Sequence, residues 1–268
     1  MYSFSDAKRI VIKVGTSTLT YETGLVNIRR VEKLIKVMSD LANSGKEIVF
    51  VTSGAIGVGA GKLGLSERPM DTPGRQAAAA VGQSELMQIY DTHFLLYNHV
   101  VAQVLLTKDV IDDEHRRQNV VNTMNRLFEL KAIPIINEND TVSVDELEGE
   151  KIGDNDTLSA IVAQLIHADA LVLMTDIDGL YDDNPRTNPN ASLIPLVTHI
   201  DDELEAVASG SGSNRGTGGM STKLSAAKIA QQTGINMVIV NGEDPDILYR
   251  LFDGEKLGTS FIFDGSAD

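Results

Sequence analysis

Residues 216–223, with the sequence GTGGMSTK, combine glycines, hydroxyl groups and a lysine in a way that could hold an anion. Glycines let backbone N–H groups come close to a ligand, and the N-terminus of a following helix favours negative charge. Ser221 and Thr222 can cap that helix, and Lys223 falls in its first turn, where a cation is unfavourable unless an anion is present. No Gly-Lys-Ser/Thr occurs, so this is not a P-loop. A flexible loop with an ordinary helix cap explains the spacing equally well.

A second candidate for anion contact is Lys13, which interrupts an apolar run at residues 10–14 and stands two residues before Gly15. A lysine at the carboxyl end of a strand can point at a phosphate group. The alternative is a lysine on an edge strand whose ammonium group extends to water, which is common.

Gly59, Gly61 and Gly64 match the spacing GxGxxG in a glycine-rich turn expected after the second strand. That spacing opens an alternative function, a dinucleotide-binding oxidoreductase. The match begins several residues beyond the strand end, and it follows the second strand rather than the first. Glycine used for tight turning is therefore the favoured interpretation of this segment.

Carboxylate and amide side chains cluster in two further strings, NEND and IGDNDT, which contain Asp140, Asn155 and Asp156. They could form a polar substrate pocket, although turn formation and helix capping explain such residues just as simply. Thr175 and Asp176 end another apolar run and could contact a sugar hydroxyl or a base edge. The alternative for these two residues is an ordinary surface loop.

The elements that must position these residues alternate between strand and helix, which predicts an α/β fold with a mainly parallel sheet. Ligands of such sheets bind at the carboxyl ends of the strands. The residues expected there are Lys13 with Gly15 and Thr16, Ser53 with Gly54, Asn137 to Asp140, Thr175 with Asp176, and Asn241 with Gly242. Strands are predicted at residues 10–14, 47–52, 100–106, 132–137, 170–175, 237–241 and 261–263. One helix is predicted after Asn27, which can cap it, and Gly45 closes that helix. Further helices are predicted at 73–97, 116–131 and 155–168, and after Met220.

The composition excludes several classes of protein. The chain has 268 residues and a formal charge of −15, which argues against non-specific nucleic-acid binding. It has no cysteine, so disulfides, thiolate catalysis and cysteine metal sites are excluded, and its five histidines are scattered. No signal peptide or apolar membrane span is evident, so we expect a soluble cytoplasmic protein of one domain.

Six strings occur in an order that closely resembles the amino acid kinase superfamily: IVIKVGTS, VTSGAIGVG, PIINENDTV, IGDNDTLSA, LMTDIDGLY and GTGGMSTKLSAA. The resemblance runs from Lys8 to about Phe263. It implies a three-layer α/β/α sandwich and a kinase that uses ATP and Mg²⁺. Within the superfamily the strings look most like the branch that phosphorylates the γ-carboxylate of L-glutamate in proline biosynthesis. N-acetylglutamate and aspartate kinases are alternatives that share the fold.

The resemblance also implies roles for particular residues. Lys13 and Lys223 match two phosphate-contacting lysines, and Asp156 matches the aspartate that holds them in place. The glutamate-binding positions are Ser53, Asp140 and Asn155. The ATP-binding positions are Lys13, Thr175, Asp176, Thr217, Gly218, Gly219, Met220, Ser221, Thr222 and Lys223. No protein ligand of a metal is implied.

Expectations about partners follow from the same resemblance. L-glutamate is the expected substrate, proline the expected feedback inhibitor, and a homo-oligomer, dimer or tetramer, the expected assembly, with no nucleic-acid or membrane partner. Many such kinases carry a C-terminal PUA domain; because the sequence ends at Asp268, we expect one amino acid kinase domain over residues 1–268 and no PUA domain. A catalytically silent amino-acid sensor is disfavoured, since Lys13, Lys223 and Asp156 are all present.

Overall fold

The computed structural model describes residues 3–21, 23–143, 154–185, 187–202, 204–205 and 219–263. Its centre is a sheet of eight described strands in the order β3-β4-β2-β1-β5-β7-β8-β6. The strands are β1 Arg9–Val14, β2 Glu47–Val51, β3 Val101–Leu106, β4 Ile133–Glu138, β5 Ala170–Thr175, β6 Leu196–Val197, β7 Asn236–Asn241 and β8 Thr259–Phe261. All their pairings are parallel except that between β7 and β8, so the predicted mainly parallel sheet is confirmed.

Helices cover both faces of the sheet and give the predicted three layers. They are α1 Thr16–Leu19, α2 Ile28–Asn43, α3 Ala55–Lys62, α4 Thr72–Leu95, α5 Lys108–Asp112, α6 Glu114–Glu129, α7 Asn155–Leu165, α8 Met220–Gln232 and α9 Ile247–Phe252, with a 3-10 turn at Phe4–Asp6. One apolar core joins α2, α3, α4 and α9 to one face, and the other joins α6, α7 and α8 to the opposite face. Across the described ranges, no helix combines the length and apolar composition that a membrane span needs.

Strand β1 lies at the centre of the sheet, between β2 and β5. Lys13 is paired in register with Val51 on one side and Leu173 on the other. Because side chains alternate between the two faces of a strand, Lys13 shares a face with Val11, which belongs to the core beneath α7 and α8. The interpretation of Lys13 as an edge-strand lysine is therefore wrong.

The glycine-rich segment after β2 is a helix, α3, and the prediction of a turn there is wrong. Gly54 is its N-cap residue, with φ of +90°, and Gly59 and Gly61 lie inside the helix. A Cβ atom on Gly59 would overlap the carbonyl oxygen of Ala78 in α4, and one on Gly82 would overlap that of Ala55 in α3. These glycines therefore let α3 and α4 pack backbone against backbone, which spacing alone does not reveal.

Helix boundaries follow the expected capping residues in several places. Asn27 caps α2 by accepting a hydrogen bond from the backbone N–H of Arg30, and Gly45 follows that helix with φ of +97°. The last predicted strand is displaced by two residues, since β8 ends at Phe261. The sequence analysis predicts neither the strand β6 nor the short helices α1, α3, α5 and α9. Each of these elements is brief and is stabilised by tertiary contacts rather than by its local sequence.

Candidate active site

Two lysines converge on one buried carboxylate at the carboxyl edge of the sheet. Lys13 Nζ lies 2.6 Å from Asp156 Oδ1, and Lys223 Nζ donates to Asp156 Oδ2 at 3.0 Å. The residue exposures are 8% for Lys13, 4% for Lys223 and 1% for Asp156, so the group is largely shielded from water. Since two ammonium groups face one carboxylate, the centre is locally positive within a chain whose formal charge is −15.

Three different elements bring these side chains together. Lys13 is the penultimate residue of β1, Asp156 lies in the first turn of α7, and Lys223 in the first turn of α8. Asp154 caps α7 by accepting hydrogen bonds from the backbone N–H groups of Asp156 at 2.6 Å and Thr157 at 3.1 Å. The cap fixes the first turn of α7 and with it the backbone that carries Asp156.

The electrostatics of the two neighbouring aspartates differ. Burial raises the pKa of the Asp156 carboxyl, but the charges and hydrogen bonds of Lys13 and Lys223 outweigh burial and leave that pKa well below its usual value. Burial, followed by repulsion from Asp156, raises the pKa of the Asp154 carboxyl, against the opposing effect of its hydrogen bonds at the helix cap. Asp156 is therefore an anion at neutral pH and a fixed partner for both ammonium groups.

Helix α8 begins at Met220, with Gly219 as its N-cap residue. The prediction that Ser221 or Thr222 caps this helix is therefore wrong, since both lie inside its first turn. The Thr222 hydroxyl lies 2.9 Å from Asp156 Oδ2 and 2.7 Å from the carbonyl oxygen of Gly219. It therefore links the start of α8 to the charged centre, while Ser221 is exposed.

Gly15 leaves space beside one of the lysines. A Cβ atom at this position would lie 3.8 Å from Lys13 Nζ and 3.7 Å from the carbonyl oxygen of Met174. A side chain here would fit without a clash, but it would occupy volume next to the ammonium group. Glycine therefore keeps that side of Lys13 open to a ligand.

A polar group beside the charged centre contains two of the three predicted glutamate-binding residues. Ser53 Oγ donates to the carbonyl oxygen of Val14 at 2.9 Å, and Asn155 Nδ2 donates to the carbonyl oxygen of Thr52 at 2.8 Å. The adjacent residues Thr52 and Ser53 thus join β1, β2 and α7. Asp140 lies two residues beyond β4 at the same edge of the sheet and is half-buried.

Thr175 and Asp176, two of the predicted nucleotide-binding residues, lie on the side of β1 away from β2. Thr175 ends β5, its carbonyl oxygen accepts a hydrogen bond from Gly242 N at 2.7 Å, and its hydroxyl donates to Asp176 Oδ1 at 3.2 Å. Gly219, Met220, Ser221, Thr222 and Lys223 are placed as described above, whereas Thr217 and Gly218 lie outside the described residues. Among the described residues, no group of three or more His, Asp or Glu side chains could hold a metal ion.

Sequence reasoning placed Asn137 at the end of a strand without assigning it a role, and it missed the amide side chain of Gln83. Asn137 Oδ1 accepts from Asn155 Nδ2 at 2.9 Å, and Asn137 Nδ2 donates to Gln83 Oε1 at 2.8 Å. The available signal was the position of Gln83 on α4, where it alternates with the buried Ala79, Leu86 and Tyr90 at helical spacing. A polar residue in an apolar stripe needs a buried partner, and it can therefore mark a site.

The fold and the charged centre define one class of protein: the chain belongs to the amino acid kinase family, whose family model matches residues 8–241. Individual relatives are more specific. The glutamate 5-kinase of Clostridium perfringens is 55% identical over 261 residues, which cover 97% of each chain. The glutamate 5-kinase of Listeria monocytogenes is 54% identical over 260 residues, covering 97% of this chain and 94% of its own.

Solved structures confirm the architecture. The crystal structure of UMP kinase from Bacillus anthracis aligns with a TM-score of 0.62 at 17% sequence identity and covers 96% of each chain. At that identity the likeness shows the shared fold alone. The oxidoreductase alternative is wrong, because Gly59 and Gly61 lie inside helix α3, where Gly59 packs against α4, rather than in a strand-to-helix turn; Gly64 follows the helix with φ of +69°.

Proposed function

We propose that the protein is a glutamate 5-kinase, which transfers the γ-phosphoryl group of ATP to the γ-carboxylate of L-glutamate in the first step of proline biosynthesis. The observation that carries this proposal is the pair of lysines around buried Asp156, in a chain more than half identical to glutamate 5-kinases. The compartment that we propose is the cytoplasm.

In the proposed reaction, one γ-carboxylate oxygen of glutamate attacks the γ-phosphorus of ATP, and the bond from that phosphorus to the β,γ-bridging oxygen breaks. The products are γ-glutamyl phosphate and ADP. A carboxylate with a pKa of about 4.3 is already ionised at neutral pH, so no proton has to leave the nucleophile. The reaction therefore needs no general base among the proposed site residues.

The difficulty of the reaction is electrostatic, because two anions must come together. Lys13 and Lys223 would contact the phosphate oxygens and stabilise the charge of the transferring group. Asp156 would hold both ammonium groups at fixed positions while leaving a net positive charge at the centre. Its own negative charge is offset by two cations, so the centre still attracts phosphate.

Ser53, Asp140 and Asn155 would bind glutamate beside the charged centre, because Asn155 immediately precedes Asp156 in α7. Thr175, Asp176 and the segment from Thr217 to Lys223 would bind ATP, which is consistent with the open space that Gly15 leaves near Lys13. Both substrates would then meet at the carboxyl ends of β1 and β5, as expected for a parallel α/β sheet.

Mg²⁺ would be held chiefly by phosphate oxygens and water, since the described residues offer no cluster of three metal ligands. When bound, the ion supplies neutralisation of phosphate charge. The protein's own part is to fix the two ammonium groups on either side of Asp156.

Proline is the proposed feedback inhibitor. It shares the α-carboxylate and α-nitrogen of glutamate, so it can compete for the groups that bind that end of the substrate. Inhibition that glutamate relieves competitively would support a shared pocket, whereas inhibition insensitive to glutamate would place proline elsewhere. A homo-oligomer, dimer or tetramer, is the proposed assembly.

The proposed reaction is tested by ADP release with ATP, Mg²⁺ and either L-glutamate, L-aspartate or N-acetyl-L-glutamate, with hydroxylamine present to trap the acyl phosphate. Hydroxamate formed with glutamate alone is the expected result. Hydroxamate formed preferentially with aspartate or N-acetylglutamate would assign the protein to another member of the family, and ADP release without hydroxamate would contradict acyl phosphate formation.

A further inference from the structure

Three amide side chains form a continuous hydrogen-bonded series that leads away from the charged centre. Asn155 follows the cap of α7 and donates to Asn137 Oδ1 at 2.9 Å, and Asn137 donates to Gln83 Oε1 at 2.8 Å. The series joins α7, β4 and α4. Its far end is Gln83, which is only 8% exposed.

Two backbone groups fix the orientation of every amide in this series. The backbone N–H of Glu138 donates to Asn137 Oδ1 at 2.9 Å, so the oxygen of Asn137 has to face that side. The carbonyl oxygen of Thr52 accepts from Asn155 Nδ2 in the same way. The amide nitrogen of Asn137 must therefore face Gln83, and the side-chain oxygen of Gln83 must accept its hydrogen bond.

This orientation turns the amide nitrogen of Gln83 away from Asn137. Gln83 Nε2 is buried and has no hydrogen-bond partner within the described part of the chain. Exchanging the nitrogen and oxygen of Gln83 would set two donors against each other, so the free N–H groups are a consequence of the fold. An unsatisfied buried donor costs free energy unless a ligand supplies an acceptor.

The free nitrogen belongs to the glutamate side of the site. Gly82, the preceding residue, packs so closely on Ala55 that a Cβ atom would overlap the carbonyl oxygen of Ala55, and Ala55 lies two residues after Ser53. Asn137, which bonds the other end of the amide, is also the partner of Asn155. Gln83 therefore lies between the end of β4 and the turn that follows β2.

We propose that Gln83 donates a hydrogen bond from Nε2 to the α-carboxylate of glutamate and is a specificity-determining residue. The inference rests on the proposed function and adds a contact to it. The γ-carboxylate has to reach the phosphoryl group near Asp156, at one end of the amide series. The α-carboxylate is the acceptor at the opposite end of the substrate, and Gln83 is the donor at the opposite end of the series.

Two substitutions of Gln83 separate substrate binding from a structural role. Gln83→Glu keeps an oxygen acceptor for Asn137 Nδ2, removes the spare donor and, at pH 8, sets a carboxylate against the substrate. Gln83→Met removes donor and acceptor at similar volume. Gln88→Met is the matched control, because Gln88 lies exposed on the same helix.

The measurements are the Kd of glutamate by calorimetry, KM for glutamate and for ATP, and the melting temperature. Both Gln83 variants should weaken glutamate binding by about 10- to 100-fold, the size of a hydrogen bond to a charged group, and leave KM for ATP unchanged. Gln88→Met should behave like the wild type. If Gln83→Glu binds glutamate normally, Gln83 only supports Asn137 and the inference is wrong.

Isoglutamine, in which an amide replaces the α-carboxylate, identifies the end of the substrate that Gln83 contacts. The wild-type protein should lose affinity on going from glutamate to isoglutamine, and Gln83→Met should lose much less, because the interaction is already absent. An equal loss in both proteins would overturn the assignment to the α-carboxylate. Wild-type protein that binds glutamate but forms no hydroxamate would refute the proposed function without affecting the binding test; no glutamate binding at all would refute both.

Discussion

The ammonium groups of Lys13 and Lys223 contact different oxygens of the same buried carboxylate, although one lysine lies on the central strand and the other on helix α8. The two carboxylate oxygens of Asp156 therefore fix the positions of the two ammonium groups and keep them apart. Such an arrangement can bracket a phosphoryl group only if Asp156 stays ionised and stationary.

Replacing Lys223 should damage turnover much more than folding. Lys223→Ala removes one of the two cations proposed to contact the transferring phosphoryl group, so kcat should fall by about 10²- to 10³-fold. Asp156 keeps Lys13 as a partner in this variant. The free energy of unfolding, measured in urea, should fall by less than about 3 kcal/mol. Lys228→Ala is the control, because Lys228 lies on the same helix, half-exposed and paired with Glu205. Near-normal turnover of Lys223→Ala would contradict the role proposed for Lys223.

Replacing Asp156 should damage both folding and turnover. Asp156→Asn leaves two buried ammonium groups without a counter-charge, which should cost about 3–5 kcal/mol of stability at pH 7. Because the pKa of Asp156 is lowered in the folded state, its contribution is complete above about pH 4 and is lost only as the pH falls through the lower folded value.

The stability difference between wild type and Asp156→Asn should therefore be constant from pH 7 down to about pH 4 and shrink only at lower pH. Urea unfolding of both proteins across that range measures it. A difference that already shrinks between pH 6 and pH 5 would show that the pKa of Asp156 is raised and that the lysines do not dominate its environment.

A methyl group beside Lys13 should weaken ATP binding without weakening the fold. In Gly15→Ala the new Cβ meets its nearest atoms at 3.7–4.0 Å, so no clash is expected. The melting temperature should be unchanged or slightly higher, since alanine lowers the entropy of the unfolded chain. KM for ATP should rise. Wild-type KM for ATP in a stable Gly15→Ala protein would show that the space beside Lys13 is not used.

The close packing of α3 on α4 predicts that alanine is destabilising at one glycine of α3 and close to neutral at another. Gly59→Ala forces its methyl group into the backbone of Ala78 and should destabilise the protein by at least about 1–3 kcal/mol. Gly61→Ala places its methyl group 3.4 Å from the backbone of Gly24 and should be close to neutral, helped by the better helix propensity of alanine. Equal stabilities in urea would refute close packing at Gly59.

The alternation of strands and helices was predictable because apolar periodicity and capping residues such as Asn27 act locally. The close contact between α3 and α4 was not, because it depends on which glycines face each other after folding. Gly59 and Gly82 contribute no side chain, so they leave no periodic signal, and the glycine-rich pattern around Gly59 predicts a turn instead of a helix.

The candidate site was predictable to a similar extent. The motif strings identified Lys13, Asp156 and Lys223, and the structure brings all three together. The role of the Gln83 amide could not be predicted, because it depends on a hydrogen bond from Asn137, which lies on another element. The sequence pattern predicts that Ser221 or Thr222 caps α8, but the Thr222 hydroxyl instead donates to Asp156 and to the carbonyl oxygen of Gly219.

Asn155 and Asp156 are consecutive residues on one helical turn, the first bonded to Thr52 and Asn137 beside the proposed glutamate pocket and the second to both cations. A shift of this turn that enlarges the pocket for a bulkier acceptor would also misalign the lysines. Substitutions in α4 and at the end of β4 should therefore change the preferred acceptor with a smaller loss of rate, because these elements shape the proposed pocket without carrying the charged centre.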